Sequence, residues 1–281
     1  MLKKFFAIIA ETYREALARK TIIGFFVFSS VVIVITLLFF LNPTVRDTMS
    51  KVQEYKTGGK ANMAADVLMV QAINIFWTIV LVSLNFITIC LGVFATTGFI
   101  TSQMEKGTID LLISKPVPRW MYIFGRYTAS LSIIFLQVIW FILGIWIVVS
   151  ATMGTWQPNF LGSVFFIMLG FAGIYAIVVL ISVLSGSSAL SIIVGIGIFF
   201  VSLLVAGGRG IEGAVQTPTK SVLSYIGDVL YYILPQAGDM SGNMKNLVLG
   251  EPIQWTPVLM IIGLSIIYLL AAMFAFKKKE F

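Results

Sequence analysis

The chain has 281 residues, of which 59% are hydrophobic and only 11% charged, with a mean hydropathy of +0.99 and a formal net charge of +7. Soluble domains run at roughly 45–50% apolar and about 25% charged residues, so a water-soluble globule is excluded, and membrane spans of about 20 residues each leave no room for a separate soluble enzyme domain. Basic residues beside long apolar runs are topology determinants before they are a nucleic-acid footprint, and the single cysteine, Cys90, excludes an intrachain disulfide or a multi-cysteine metal site.

The first segment, Met1 to Lys20, is not a cleavable signal: its apolar stretch Phe5 to Ala10 is short and runs into Glu11, Arg14, Glu15, Arg19 and Lys20. Leu2, Phe5, Phe6, Ile9, Tyr13, Ala16 and Leu17 recur at helical spacing, which predicts an amphipathic helix in the headgroup layer. The alternative is a polar tail with fortuitous periodicity.

Six stretches then lack charge over bilayer-spanning length: Thr21 to Leu41, Ile73 to Ile100, Tyr127 to Ser150, Phe160 to Leu184, Ala189 to Ala206 and Pro257 to Phe276. In hydrocarbon the backbone must bond to itself, so these are predicted helices of an all-α polytopic membrane protein. One side of the membrane receives Lys3, Lys4, Arg14, Arg19, Lys20, Lys106, Lys115, Arg119, Arg126 and Lys277 to Lys279, twelve basic residues against seven on the other. That bias places both termini in the cytoplasm.

Two segments are expected outside the cytoplasm, 42–72 and 206–256. The first holds a turn at Thr57-Gly58-Gly59-Lys60, and its later half is expected to extend the second span outward as a helix. The second opens on an expected glycine-rich break (Gly207, Gly208, Gly210, Gly213), and prolines 218, 235, 252 and 257 punctuate it. Between the first two prolines Val222, Leu223, Ile226, Val229, Leu230 and Ile233 predict an amphipathic or half-inserted helix over Thr219 to Leu234, and a re-entrant element there would alter the count of six. No internal repeat is visible, so the whole chain, 1–281, reads as one domain.

Several chemistries are missing. The sequence contains no histidine, and no carboxylate falls inside the six charge-free stretches, which excludes a metal hydrolase. The stretches offer only neutral polar groups, Asn85, Thr88, Ser132, Gln137 and Ser202, which read first as interhelical hydrogen bonds and second as substrate contacts. No phosphate-cradling G-x-x-x-x-G-K-[ST] loop occurs, so ATP, if it drives this protein, is bound by a partner. Ser187, Ser191 and Gly195, four apart, permit close helix approach inside the subunit or between two copies.

The loop between the second and third spans, 101–126, carries the most ordered pattern. Thr108 is placed to cap a short helix with an apolar body of Ile109, Leu111, Leu112 and Ile113, and Pro116 and Pro118 end it stiffly. Such a knob suits a groove on a soluble partner and the transmission of rigid-body motion; the alternative is an ordinary interhelical connection.

At this loop the chain resembles the permease subunits of ABC transporters of the ABC-2 type. The resemblance rests on Glu105, Gly107-Thr108, Leu111-Leu112, Ser114-Lys115-Pro116-Val117, Arg119 and Gly125, with Glu11, Arg14-Glu15-Ala16-Leu17 and Arg19-Lys20 similar to the interfacial elbow helix of that family. The Ser-Lys-Pro-Val run is similar to the branch holding the permeases of nitrous oxide reductase maturation and of gliding machinery.

The resemblance implies a permease in the bacterial inner membrane, most members being exporters. It would form a homodimer, or pseudo-dimer, above two cytoplasmic ATPases that bind the ATP and Mg, this chain itself holding no cofactor and no catalytic residue. Glu105, Gly107, Thr108, Asp110, Leu111, Leu112, Lys115, Pro116 and Arg119 would form the coupling helix, braced by Glu11, Arg14, Glu15 and Arg19 of the elbow helix. Membrane lipid and an extracytoplasmic accessory protein are the other expected partners, and nucleic acid is not. A non-transporting membrane anchor that tethers an assembly, a force-transmitting subunit of an envelope assembly, and a stand-alone channel are the alternative readings.

Overall fold

The computed structural model describes residues 2–18, 20–43, 63–102, 118–153, 156, 158–214 and 222–278. Among them the chain forms the helices α1 (Leu2–Ala18), α2 (Thr21–Leu41), α3 (Met63–Thr101), α4 (Arg119–Met153), α5 (Asn159–Ser185), α6 (Ser188–Ala214), α7 (Val222–Ile233), α8 (Ala237–Leu249) and α9 (Trp255–Lys278). Six of these, α2 to α6 and α9, are long and apolar enough to cross a membrane. The fold class read from composition holds: an all-α polytopic membrane protein.

α5 is the hub. It is apolar on every side rather than along one stripe, the pattern of a helix enclosed all round, and it packs against α3, α4, α6, α8 and α9. Phe166, Phe171, Ile174, Tyr175 and Val178 are buried along it. Small residues let its neighbours in: a Cβ on Gly173 would meet the Ile261 side chain of α9 at 2.6 Å, and one on Gly195 of α6 would strike Val178. Gly195 and the wholly buried Ser191 therefore close α6 onto α5, while Ser187 is exposed, so two of the three small residues serve packing within the subunit. Gly186, at φ 68°, is the left-handed residue that lets α5 turn into α6 across two residues, its N–H bonding Ser182 O at 2.9 Å.

α1 lies along α4. Ile8, Thr12 and Ala16 are its buried face, Phe5 stacks on Phe124 at 5.8 Å between ring centroids, and Tyr13 Oη donates to Ser132 Oγ at 2.9 Å. The apolar stripe expected from the sequence divides accordingly: Phe5, Tyr13 and Ala16 face the protein, while Phe6 and Leu17 are exposed. The chain corners into α2 at Lys20, the one non-glycine residue at positive φ (56°) among the described residues.

Three boundaries differ from the sequence reading. The third span begins at Arg119 and not near Tyr127, because Arg126 is neutralised inside the fold and does not end the helix. The glycines at 207 to 213 do not break α6, which continues to Ala214. An additional helix, α8, follows Pro235; its composition is too polar to predict, yet Ala237, Gly238, Met240, Ser241, Asn243 and Met244 are buried against its neighbours, mainly α5 and α6. The expected helix between the prolines is present as α7, and the expected outward extension of the second span is present as the first part of α3. The turn at 57–60 lies outside the described residues.

Three of the neutral polar groups of the spans, Asn85, Gln137 and Ser202, bond across to neighbouring elements. Asn85 Nδ2 donates to Ser241 Oγ at 2.7 Å, Gln137 Nε2 to Ser29 Oγ at 2.7 Å, and Ser202 Oγ to Pro235 O at 2.9 Å while accepting from Gly238 N at 2.9 Å. That is the packing role expected of isolated polar residues in hydrocarbon.

Candidate functional site

Glu11 and Glu15 stand four apart on α1, and Tyr122 and Arg126 four apart on α4, so each pair occupies one helix face. Where α1 lies on α4 the two faces meet. Arg126 Nη1 pairs with Glu15 Oε2, Arg126 Nε donates to Tyr122 Oη at 3.0 Å, and Arg126 Nη2 lies 4.0 Å from Glu11 Oε1. The other Glu15 oxygen accepts from Ser102 Oγ at 2.9 Å, at the end of α3. The Arg126 side chain is 0% exposed, against 18% for Glu15 and 58% for Glu11. The Arg126–Glu15 pair therefore works in a dry environment where Coulomb attraction is strong, while Glu11 contributes through solvent.

The cluster brackets the connection 103–117. Ser102 precedes that connection and is held by Glu15; Arg119 follows it and donates from Nη1 to Lys277 O at 3.2 Å, at the last turn of α9. Next to Ser102, the hydroxyls of Thr101 and Ser188 share a hydrogen bond that fixes the end of α3 to the start of α6. Five helices thus present one end at this place, α1 by its carboxylates, α3 by its last turn, α4 and α6 by their starts and α9 by its last turn.

One helical step further in, the rings of Tyr127 and Tyr175 stack at 5.6 Å and 7°, and those of Tyr175 and Phe171 at 5.4 Å and 10°. Tyr175 Oη donates to Ser130 Oγ at 2.9 Å, and Tyr127 Oη to Ala172 O at 2.9 Å. A stiff ladder of side chains so joins the charged cluster on α4 to the hub helix α5.

Of the residues singled out in the sequence, Glu11 and Glu15 fall inside the cluster, and Arg119 lies exposed at its edge against α9. Arg14 is on the exposed side of α1. Glu105, Gly107, Thr108, Asp110, Leu111, Leu112, Lys115, Pro116 and Arg19 lie outside the described residues. Sequence reasoning did not single out Arg126, Tyr122 and Ser102. The signal available was the matched i, i+4 spacing of Tyr122–Arg126 and Glu11–Glu15, one pair at the start of the third span and the other ahead of the first.

A second polar cluster sits at the far end of α6. The Arg209 guanidinium carbon lies 3.6 Å from the centre of the Tyr231 ring of α7, a cation–π contact. Tyr231 also hydrogen-bonds Asp239, in the first turn of α8. Burial pushes the Asp239 carboxyl above its usual range, against the lowering pull of the Tyr231 hydroxyl and the Arg209 guanidinium.

The family described as ABC-2 family transporter protein matches residues 13–281. No curated protein matches the chain. The family match takes in all six candidate spans, the last third of α1 with Glu15, and the whole of α4 with Arg126. The chain belongs to the ABC-2 transporter family and is a multi-pass integral membrane permease subunit of an ABC transporter, the transmembrane component and not the ATPase.

Proposed function

We propose that the chain is the permease of an ATP-driven exporter, and that it takes up the motion of a separate cytoplasmic ATPase through 101–126. The ATP and Mg sit on that partner. Two copies of the chain pair above two ATPases in the bacterial inner membrane, with both termini in the cytoplasm and 42–72 and 206–256 on the other side, available to an accessory protein.

The observation that carries this reading is the clamp of Glu15 on Ser102 and Arg126. It fixes the helix entering the connection and the helix leaving it to the same carboxylate, so a push on the connection moves α1, α3 and α4 together. The contact residues for the ATPase would be Glu105, Gly107, Thr108, Asp110, Leu111, Leu112, Lys115, Pro116 and Arg119, with Glu11, Arg14, Glu15 and Arg19 on the bracing side. Substituting Leu111 or Leu112 by Asp should abolish stimulation of the partner ATPase while membrane insertion is unchanged. Full stimulation in both variants would remove 101–126 from the coupling path. A cysteine at Lys115 should react with an impermeant maleimide only from the cytoplasmic side.

A force-transmitting, non-transporting subunit is the second reading. It is favoured by one observation: Asn85, Gln137 and Ser202, polar groups of the spans, all spend hydrogen bonds on neighbouring helices. Solute flux in vesicles containing permease and ATPase separates the two.

A further inference from the structure

The short helices α7 and α8 form a hairpin whose corner lies deep among the spans, and three contacts fix that depth. Ser202 Oγ donates to Pro235 O at 2.9 Å, a Cβ on Gly173 would lie 3.0 Å from the Cβ of Pro235, and Tyr268 Oη donates to Ile233 O. Ser202, Gly173 and Tyr268 each stand near the middle of a candidate span, Ser188–Arg209, Asn159–Ser185 and Trp255–Lys278 respectively. From the corner α8 runs back along α5 towards its start, with Ala237 and Met240 against Gly170 and Leu247 against Gly162. Helices of 12 and 13 residues are about 18–20 Å long, a little over half of a hydrocarbon core of about 30 Å.

Non-helical backbone at that depth is tolerated only where protein or water satisfies its polar groups. Ser202 satisfies two, Pro235 O and Gly238 N, and Gln236 Nε2 donates to Tyr231 O at 2.6 Å. One group is left over: Gln236 is 3% exposed, and its Oε1 has no hydrogen-bond partner. Tyr231 O can only accept, so the amide presents its NH2 there and turns its oxygen away. Gln236 lines a cavity of about 10 Å³ together with Ser202, Leu230, Tyr231, Leu234 and Asp239.

We propose that this cavity binds one water molecule, which donates to Gln236 Oε1 and to the Asp239 carboxyl at the mid-membrane corner of the hairpin. The space admits one water and nothing larger. Two side-chain acceptors, with a further lone pair on Ser202 Oγ, supply the two to four polar partners that a buried water needs. A dry cavity would leave Gln236 Oε1 desolvated without a donor, which is costly in a medium of low dielectric. A monovalent cation is a poorer guest. Tyr231 already hydrogen-bonds Asp239, and the Arg209 guanidinium, 3.6 Å from the centre of the Tyr231 ring, supplies the charge opposite that carboxyl. An exchangeable guest also lets the hairpin shift against α6 without stranding the Gln236 amide in hydrocarbon.

The test is X-ray radiolytic footprinting of the full-length chain in lipid nanodiscs, with mass spectrometry to locate the oxygen that radiolysed water leaves on neighbouring side chains. Leu230, Leu234 and Pro235 should be hydroxylated in the wild type. After rapid mixing into oxygen-18 water, the heavy isotope should reach them more slowly than it reaches Trp255, which is 61% exposed at the start of α9. Gln236→Met removes one partner and should cut the labelling about tenfold, the equivalent of one hydrogen bond, with Trp255 unchanged. Asp239→Asn keeps a carbonyl acceptor and should retain the label, which guards against a Gln236→Met protein that has lost its fold. Replacing sodium by choline should change nothing. Four results would overturn the proposal: no label at the three residues in the wild type, heavy-isotope exchange there as fast as at Trp255, full labelling in Gln236→Met, or a label that appears only without sodium. Fast exchange would place the corner at the aqueous surface, and a sodium-dependent label would mean that a cation holds the site.

Discussion

Arg126 sets the energetics of the junction. A guanidinium with no solvent contact is tolerable only while its partners remain, and breaking a buried pair from one side costs about 3–5 kcal/mol because the other charge is stranded. Glu15→Ala should therefore lower the melting temperature of the detergent-solubilised protein sharply. Glu11→Ala, which removes a carboxylate 4.0 Å from Arg126 and 58% exposed, should change stability by about 0–1 kcal/mol. Replacing both members by apolar residues of similar size, Glu15→Leu with Arg126→Met, should recover most of what Glu15→Ala loses, since no charge is then stranded. If the two single carboxylate variants melt alike, the Arg126–Glu15 pair is not a buried interaction. The sequence did not show this pair because the partners stand 111 residues apart, and a lone arginine after a proline-rich loop reads as the end of a loop.

At the scale of elements, α8 was the least legible part of the chain. Its buried face sets the polar Ser241 and Asn243 among Ala237, Met240, Met244 and Val248, so the sequence AGDMSGNMKNLVL shows only a broken apolar stripe. Asn243 clamps the backbone of Gln254 in both directions, at 2.9 Å each, which fixes the turn into α9. The six spans were legible for the opposite reason: a charge-free run of bilayer length has one solution, a helix, whatever its neighbours do. Their ends were not, because an end depends on what neutralises the next charge or caps the next turn, and those partners are distant in sequence.

Two glycines of α8 give a matched test. A Cβ on Gly238 would meet Ala206 Cβ of α6 at 2.8 Å and the Ser202 carbonyl oxygen at 2.5 Å, whereas Gly242 has nothing within 4 Å. Gly238→Ala should cost about 1–3 kcal/mol by overpacking. Gly242→Ala should be neutral or stabilising by up to about 1 kcal/mol through helix propensity. Thermal unfolding of the two variants beside wild type checks both, and a Gly238→Ala protein as stable as wild type would show that α8 does not press on α6.

The same helix carries a pH signature. The Asp239 carboxyl is raised by burial, so the native state holds its proton to higher pH than the unfolded chain, whose carboxyl titrates near about 3.9. More protons on the native side means that stability falls as pH rises through the interval between those two values, and the loss is complete above the raised one. Asp239→Asn has no such proton to lose. The melting temperature of the variant minus that of wild type should therefore grow as pH is raised from about 4; a difference independent of pH would place the carboxyl in water.

For the whole molecule, the question is which parts move as one body. The hub α5 ties α3, α4, α6, α8 and α9 together, while α1 and α2 pack mainly on α4 and on each other. If the Glu15 clamp makes α1 a rigid outrigger of α4, a covalent bond between them should leave coupling intact. The geometry offers one: a Cβ on Gly125 would lie 3.3 Å from the Cβ of Ile8, close to the roughly 3.5–4.5 Å of a disulfide, and the Ile8 methyl that crowds it disappears on substitution. In a Cys90→Ala background, the pair Ile8→Cys with Gly125→Cys should oxidise within the chain and resist mass-tagging by a polyethylene glycol maleimide until it is reduced. The oxidised permease should stimulate its ATPase as the reduced form does. Loss of stimulation on oxidation, restored by reductant, would mean that the α1–α4 joint opens in each cycle, and the buried Arg126–Glu15 pair would then be a latch that breaks and reforms rather than a fixed brace.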